Sequence, residues 1–326
     1  MIISASIRTD LPAFYSKWFL NRIREGFVLV RNPYNQDYIT RYQLDPSVVD
    51  CIFFCTKNPT PLLPHLDEIK DFRWAWHITL TPYGKDIEPN VPDKRLIVEQ
   101  FKKLSDLVNT HNGGQDAVQW RYDPICITER YTVEQHIKSF EVMAALLEGY
   151  THTCIISFVD IFNCVTRNFP DLKEVSWEDQ ITLTKAFVEI GRLHGINIKT
   201  CVESSALAEF GADCSGCSTP DFFEKALGLK EKGLTFVPPK KKFAREDCSA
   251  CVVGGDIGNY SNCPHLCKYC YANYGKDQVL SKHNMHDPNS PLIIGNVKPG
   301  EIVHPAKQIS WIKKKPDIQP DLFENI

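Results

Sequence analysis

The sequence of 326 residues lacks long apolar segments and carries little net charge. No apolar run approaches the roughly 18 residues that a membrane-spanning helix needs, so no span is predicted. Arg8 and Asp10 interrupt the first ten residues too early for a secretory signal peptide. The formal net charge of −3 argues against a dedicated nucleic-acid scaffold, although a local basic groove is compatible with it. Together these absences predict a cytoplasmic protein without a membrane partner.

Two further absences narrow the class of protein. No G-x-G-x-x-G motif follows the first predicted strand, so a dinucleotide-binding fold has no support. The 13 cysteines are odd in number and no export signal accompanies them, which makes a disulfide framework a poor interpretation. Eight of the thirteen lie between residues 201 and 270, and this crowding indicates metal ligation. The five earlier cysteines stand in apolar runs, where we expect small buried side chains without a function.

The first 205 residues or so alternate β-rich runs with helical periodicity, which predicts parallel βαβ units. The predicted strands cover residues 2–6, 49–54, 77–81, 118–122, 154–159 and 196–202. Apolar residues at helical spacing lie between them, over 15–23, 97–108, 133–147 and 176–190. Right-handed crossovers turn such units into a barrel or an open doubly wound sheet.

Polar residues cluster at the end of each predicted strand. They are Arg8, Thr9 and Asp10; Thr56, Lys57 and Asn58; Thr79 and Thr81; Arg121 and Asp123; Asp160; and Glu203. In a βα barrel the carboxyl ends of the strands face the active site. Recurrence at six strand ends therefore favours a TIM-like barrel with one shared mouth. We predict a barrel domain over 1–225, a basic Pro/Lys linker over 226–247, and a cysteine-rich module with a tail over 248–326 that packs on the barrel.

Cys263, Cys267 and Cys270 form the pattern C-x3-C-x2-C, with Tyr269 directly before the last cysteine. We call these three cysteines the triplet. Three thiolates can hold three irons of a 4Fe-4S cluster, and the fourth iron then has no protein ligand. A zinc knuckle, with His265 or a distant cysteine as fourth ligand, uses similar spacings and remains an alternative, as does a chance cluster of buried thiols.

A second set of four cysteines consists of a C-x2-C pair, Cys248 and Cys251, and two earlier residues. These are Cys201, at the end of the last predicted strand, and Cys217. Four thiolates suit either an auxiliary 4Fe-4S cluster or a structural zinc ion. Cys214 is an alternative fourth ligand, and a redox dithiol or unliganded thiols also fit the pattern. A metal here would tie the C-terminal module to the barrel rim.

The chain resembles a bacterial family catalogued as a domain of unknown function and related to radical S-adenosylmethionine (SAM) proteins of the spore photoproduct lyase type. The matching segments include Thr-Lys-Asn-Pro at 56–59, Trp-Arg-Tyr-Asp-Pro at 120–124, Ile-Ser-Phe-Val-Asp at 156–160 and Asp-Ile-Gly-Asn-Tyr at 256–260, with further matches at 3–15, 80–85, 201–203 and around the triplet. The resemblance implies a partial (β/α)6 barrel. It also implies that the methionine moiety of SAM chelates the open iron and that reductive cleavage yields a 5′-deoxyadenosyl radical.

The resemblance also suggests which residues contact SAM. Strand-end pairs similar to those lining the SAM pocket of lyase-type relatives are Lys57 with Asn58 and Arg121 with Asp123. The chain departs from the usual pattern of radical SAM enzymes in two ways that concern this pocket. The triplet lies near the C-terminus, whereas radical SAM enzymes usually carry it after the first strand, and no Gly-Gly-Glu motif follows the second strand. We expect Arg8 and Asp10 to replace contacts that the missing loop would have made.

Two further positions differ from the family pattern, which usually has an arginine in place of Ile7 and an aromatic residue in place of Cys55. Cys55 and Tyr122 are candidates for a hydrogen donor or radical relay, although core packing is the simpler role.

The predicted function is that of a radical SAM enzyme. The lyase-type relatives suggest a nucleotide or nucleic acid as its substrate, and a flavodoxin or ferredoxin would supply electrons. The alternatives are a non-catalytic zinc or iron–sulfur protein on a radical SAM-like barrel, and an electron carrier that never binds SAM.

Overall fold

A parallel sheet of seven strands is the largest element of the computed structural model, which describes residues 1–108, 113–239, 251–252 and 254–315. In chain order the strands are β1 (Ile2–Ser4), β2 (Phe27–Arg31), β3 (Tyr38–Gln43), β4 (Cys51–Thr56), β5 (Trp74–Thr79), β6 (Val118–Ile125), β7 (Thr153–Phe158), β8 (Asn197–Thr200), β9 (Leu234–Phe236), β10 (Gly255–Asp256), β11 (Ile302–Pro305) and β12 (Ile312–Lys314). The helices are α1 (Leu11–Phe14), α2 (Ser16–Glu25), α3 (Lys94–Val108), α4 (Val133–Leu147), α5 (Asn163–Asn168), α6 (Trp177–Leu193), α7 (Pro220–Ala226) and α8 (Lys276–Asn284). None of the described helices is both long enough and apolar enough to cross a membrane.

The strand order in this sheet is β10-β1-β4-β5-β6-β7-β8, and every neighbouring pair is parallel. Six of the seven strands lie where the sequence predicts them, so the α/β class with parallel strands is confirmed. The seventh, β10, pairs with β1 through Ile3 opposite Gly255 and Ser4 opposite Asp256. Among the described strands β10 and β8 do not pair with each other, so the sheet is open and no barrel closure is present.

Alternation along β6 sets the direction of the side chains around the sheet. Trp120 and Tyr122 lie on the face covered by helices, where Trp120 stacks on Phe140 of α4 at 4.7 Å between ring centroids. Phe140 in turn stacks on Phe187 of α6 at 3.9 Å. Arg121, between the two strand aromatics, points to the opposite face. The polar strand-end side chains therefore collect on the face opposite α4 and α6, where Phe222 of α7 packs against Phe53 and His77.

Helix α6, the one that precedes β8, begins where its sequence predicts. The side chain of Ser176 accepts a hydrogen bond from the backbone N–H of Asp179 and caps α6. Leu183 and Phe187 on the inner face of α6 are buried completely. The same capping pattern starts α4, where Thr132 accepts from the N–H of Gln135. Local capping and an apolar face together explain why these two helices were predictable.

Two small sheets were not predicted from the sequence. Strands β11, β3 and β2 form one, and β12 pairs antiparallel with β9 in the other. β11 runs parallel to β3 with Ile302 opposite Tyr38, so a late segment pairs with an early one. The described part of the predicted linker contains β9 and the buried residues Leu227 and Leu229, while 240–247 lie outside the described residues. The predicted domain boundaries stay a prediction.

Candidate functional site

A cavity of about 370 Å³ lies at the carboxyl ends of the parallel strands. Side chains from the ends of β1, β4, β5, β6 and β7 line it, which is where ligands bind in parallel α/β sheets. Five of the six predicted cofactor-binding residues contribute to this lining: Arg8, Asp10, Lys57, Arg121 and Asp123. The sixth, Asn58, is not among the lining residues; its backbone N–H donates to Thr56 and its side chain accepts from the N–H of Thr60 at 3.2 Å. Asn58 therefore shapes the turn after β4.

The triplet lies on the wall of the same cavity. Cys263 and Cys267 are buried, Cys270 is half-buried, and all three thiols line the space. Burial raises the pKa of Cys263 well above that of a free thiol, and it raises the pKa of Cys270 too. Metal binding would have to displace these protons, as it does wherever thiolates become ligands. Among the described residues, no three His, Cys, Asp or Glu side chains are already arranged to hold a single metal ion.

The loop that carries the triplet is held on one side by the segment after β5. The backbone N–H of Asn90 donates to the carbonyl of His265 at 3.2 Å, and its side-chain amide donates to the carbonyl of Pro264 at 2.7 Å. The N–H of Lys268 donates to the carbonyl of Ile87 at 3.0 Å. Three hydrogen bonds thus fix this loop between the first and last cysteines of the triplet.

On the other side the first strand and the helices after it hold the loop. Thr9 donates through its hydroxyl to the side-chain oxygen of Asn262 at 2.6 Å, and Tyr15 donates to the backbone carbonyl of Asn262 at 2.5 Å. The hydroxyl of Tyr271 donates to the carbonyl of Ile7 at 2.7 Å. Residues separated by about 250 positions in sequence therefore form one wall of the cavity.

Glu88 is a central residue of this wall that sequence reasoning missed. Its carboxylate is buried and accepts hydrogen bonds from Lys57 and Thr81, each at 2.8 Å, and from Lys94 and Tyr269. Burial alone would raise the pKa of Glu88, but the two ammonium groups outweigh it and lower the pKa to about 2. A lone carboxylate in a loop has no distinguishing pattern in sequence, so the burial of Glu88 could not be predicted.

Asp10 connects three segments beneath the cavity. One carboxylate oxygen accepts from the N–H of Ala13 and the hydroxyl of Thr56; the other accepts from the N–H of Lys57 at 2.8 Å and faces a ring nitrogen of His265 at 2.9 Å. It thereby caps α1 and joins the ends of β1 and β4 to the triplet loop. These contacts give Asp10 a structural role at the cavity edge.

His265 bears on the zinc alternative for the triplet. Its Nε2 faces Asp10, and its Nδ1 lies 3.3 Å from the carbonyl of Asn90. Both ring nitrogens thus have partners, and the ring packs edge-on against Phe14 at 4.6 Å between centroids. To ligate zinc, His265 would have to give up one of these hydrogen bonds, which disfavours it as a fourth ligand.

Arg8 pairs with Asp256 of β10, across the edge of the sheet. One guanidinium nitrogen donates to the side chain of Asp256 and another donates to its backbone carbonyl at 3.3 Å. The guanidinium also lies 5.3 Å from the ring centroid of Tyr260. Burial raises the pKa of Asp256 even though Arg8 acts in the opposite direction. The positive charge of Arg8 is therefore largely neutralised by Asp256.

Arg121 and Asp123 form the corresponding pair at the end of β6. The Nε of Arg121 donates to Asp123 at 2.9 Å, and one terminal nitrogen of the guanidinium lies 3.3 Å from the Nδ1 of His77. Burial, and next the charge of Arg121, lower the pKa of His77 well below 6.5. Neutral His77 can accept from Arg121 through Nδ1, while its Nε2 faces the side-chain oxygen of Gln119 at 3.1 Å. This network orients Arg121 toward the cavity.

Glu203, at the turn after β8, joins the last two strands of the sheet. It accepts from the hydroxyl of Ser157 at 2.8 Å and from the backbone N–H of Phe158 at 2.9 Å. Burial raises its pKa to about 7. Ser157 and Phe158 line the cavity, so Glu203 supports the wall from behind.

The second cysteine set is partly assembled beside this network. The Sγ of Cys201 lies 3.2 Å from that of Cys217, and the Sγ of Cys217 lies 3.8 Å from that of Cys251. The thiol of Cys214 instead faces the carbonyls of Ser204 and Ala212. The remaining predicted member, Cys248, lies outside the described residues.

Of the two proposed relay residues, only Cys55 lines the cavity. Tyr122 points to the helix-covered face, where its hydroxyl donates to the Nδ1 of His136 at 2.7 Å. Because adjacent strand residues point to opposite faces, Tyr122 cannot share the cavity with Arg121 and Asp123. Tyr122 packs in the core.

Comparison with known proteins identifies a family for this chain. No curated protein and no solved structure matches it. One family profile matches residues 2–272, which is most of the chain. The chain belongs to the family described as a domain of unknown function, DUF1848.

Proposed function

We propose that the protein is a radical SAM enzyme in which Cys263, Cys267 and Cys270 hold a 4Fe-4S cluster with one open iron. The observation that supports this most is the position of the triplet. Its three thiols line the cavity into which the strand ends also project, although the triplet lies far from those strands in sequence. A buried thiol set at the carboxyl ends of parallel strands is where a reactive cofactor would meet a substrate.

The strand order supports a partial (β/α)6 barrel. Among the six predicted strands the spatial order β1-β4-β5-β6-β7-β8 follows the chain without reversal. A doubly wound sheet reverses its order at a switch point, whereas a barrel winds in one direction. Continuous winding therefore favours a sheet of barrel type, open at the edge between β8 and β1, and β10 extends it on the β1 side.

The residues of the cavity fit the proposed cofactors. When bound, a 4Fe-4S cluster would supply the low-potential electron that cleaves SAM to methionine and a 5′-deoxyadenosyl radical. Phe158 and Val159, both buried, contribute apolar surface to the lining, which would help to exclude water from a radical reaction. Arg121 and Asp123 would orient the polar groups of SAM or substrate.

Cys164 offers an internal control for the triplet. It is buried, and its thiol donates to the carbonyl of Tyr271 at 3.3 Å, next to Cys270. A hydrogen bond to the backbone is the ordinary environment of a structural cysteine. We therefore assign the cluster to the triplet alone.

The test is purification without oxygen, followed by iron quantification and assay with SAM and dithionite. The proposal predicts about four irons bound through the triplet, release of 5′-deoxyadenosine, and loss of both in Cys267→Ala. Cys164→Ala should keep both. A fully reconstituted cluster that never cleaves SAM would favour an electron carrier, and a colourless protein with zinc at the triplet would favour a structural metal site.

The proposal extends to the partner and the location. A flavodoxin or ferredoxin in the cytoplasm would supply the electron, and a nucleotide or nucleic acid is the substrate class suggested by the lyase-type resemblance. Arg8, Lys57 and Arg121 are each paired with a carboxylate at the cavity. A phosphate-bearing substrate would therefore compete with these internal pairs.

A further inference from the structure

We propose that Cys201, Cys217 and Cys251 ligate a single tetrahedral zinc ion rather than an auxiliary 4Fe-4S cluster. This second site is separate from the triplet and does not depend on SAM chemistry. The choice between one ion and a cluster follows from the distances between the sulfur atoms, the surrounding backbone and the local charge.

The two observed sulfur separations are no longer than those around one ion. A Zn–S bond of about 2.3 Å in a tetrahedron places two sulfurs about 3.8 Å apart. The observed separations are 3.2 Å for Cys201 to Cys217 and 3.8 Å for Cys217 to Cys251. In a 4Fe-4S cluster each thiolate binds a different iron and projects outward from it, so the sulfurs lie farther apart than they do around one ion.

Cys217 is the central thiol, since it contacts both of the others. The described residues hold no set of three ligands already closed around one position. A cysteine side chain can turn about its Cα–Cβ bond between staggered conformations, which is the movement available for closing the set. The predicted fourth ligand, Cys248, lies outside the described residues.

The backbone around these thiols is shaped to bring them together. Gly216 has φ of +103°, and a Cβ built there would meet the Sγ of Cys251 at 3.0 Å. A side chain at 216 would therefore displace the sulfur. Val202, directly after Cys201, has φ of +61°, which is unusual for a β-branched residue. Strained positions of this kind persist where the surrounding structure demands them.

The surroundings of these thiols are mostly apolar, although Cys217 also lines the cavity, and a cation lies nearby. Cys217 and Cys251 are buried and pack with Ile155 in a small apolar cluster of their own. Thiolates around a divalent ion carry a net negative charge, which burial makes expensive without a cation nearby. Arg121 is this cation, since it lines the same cavity as Cys217, where it is also paired with Asp123.

The position of the ion has a consequence for the cavity. Cys201 follows β8, Cys217 lies in the loop before α7, and Cys251 belongs to the segment that leads to β10. One ion would join these three segments behind Arg121. Loss of the ion should therefore disturb the guanidinium that faces the cavity.

The experiment is zinc and iron analysis of the full chain purified without oxygen. The expected result is about one zinc per chain, the single ion of a structural site. Cys217→Ala should lose the zinc and keep the iron bound at the triplet, Cys267→Ala should lose the iron and keep the zinc, and the nearby Cys214→Ala should keep both. If the unaltered chain binds zinc at the second site but no iron at the triplet, the proposed function is wrong and this inference still holds.

A second measurement covers the case in which Cys217→Ala does not fold. The unaltered chain, produced with cobalt in place of zinc, should show the visible absorption and thiolate charge transfer of tetrahedral cobalt bound to sulfur. About eight irons without zinc in the unaltered chain, four at each of two clusters, would overturn the inference in favour of an auxiliary cluster. Zinc-free protein whose Cys201 and Cys217 react rapidly with an alkylating reagent would overturn it as well.

Discussion

Replacing Glu88 with glutamine should destabilise the protein strongly, because the change leaves two cations around a neutral amide. The Glu88 side chain is fully buried, whereas those of Lys57 and Lys94 are 13% and 26% exposed. Removing one partner of a buried ion pair costs about 3–5 kcal/mol. Since Lys94 can turn toward water, we expect the lower end of this range.

This magnitude converts into a measurable shift of the melting temperature. With an unfolding entropy of about 2.1 cal/mol/K per residue, 326 residues correspond to roughly 0.7 kcal/mol/K. A loss of about 3 kcal/mol then lowers the melting temperature by about 4 °C. Differential scanning fluorimetry of metal-free protein at pH 7.5 measures the shift without any contribution from a bound cofactor.

The same substitution should weaken metal retention at the triplet. Tyr269 donates to Glu88 from a position between Cys267 and Cys270, so the loop loses an anchor when the carboxylate is removed. Reconstituted Glu88→Gln should bind less iron than the unaltered chain and lose it faster to a chelator. Glu99→Gln is the matched control, because Glu99 makes an exposed pair with Lys103.

An exposed pair contributes only about 0–1 kcal/mol, so Glu99→Gln should melt within about 1.5 °C of the unaltered chain. Equal melting temperatures and equal iron retention for the two variants would show that Glu88 does not hold the cavity wall together.

Three further predictions concern the core and the triplet. Burial lowers the pKa of His136 to about 4, so the folded state binds a proton less readily than the unfolded chain, and stability falls as the pH drops below 6.5. Urea titrations should show that His136 costs the protein about 2 kcal/mol of unfolding free energy between pH 7.5 and 5. His136→Gln should lack this pH-dependent loss. Phe140→Ala removes a fully buried ring stacked on two others and should cost about 3–5 kcal/mol in the same titrations, whereas a loss below 1 kcal/mol would contradict the packing described. Cys270→Ala should abolish the iron chromophore while Cys164→Ser retains it, and equal loss in both would point to a fourth protein ligand.

Most of the six main strands were predictable because they contain a short apolar run that both faces of a parallel sheet bury. β4, with the sequence Cys-Ile-Phe-Phe-Cys-Thr, is a clear example, since five of its six residues are buried. β3 and β11 were not predictable, because their pairing joins residues about 260 positions apart and neither is strongly apolar. Long-range pairing leaves no local signal in a single sequence.

The residues of the candidate site likewise divide into those that the sequence could predict and those that it could not. Arg121 and Asp123 could be predicted because a period of two along β6 places both on one face at a strand end. Asn58 follows a strand in the same way, but the turn directs its side chain to Thr60 and away from the cavity. Glu88 lies in a loop whose path depends on the triplet segment, so its burial follows from tertiary contacts alone.

The pairing of β10 with β1 has a consequence for biosynthesis. About 250 residues separate the two partners, and at 5–20 residues per second a ribosome needs roughly 12–50 s to make them. During that interval the hydrogen-bonding edge of β1 is open to any other extended chain. The nascent protein therefore passes through a stage in which its first strand is vulnerable to aggregation, and the proposed cluster at the triplet could form only after synthesis has passed residue 270.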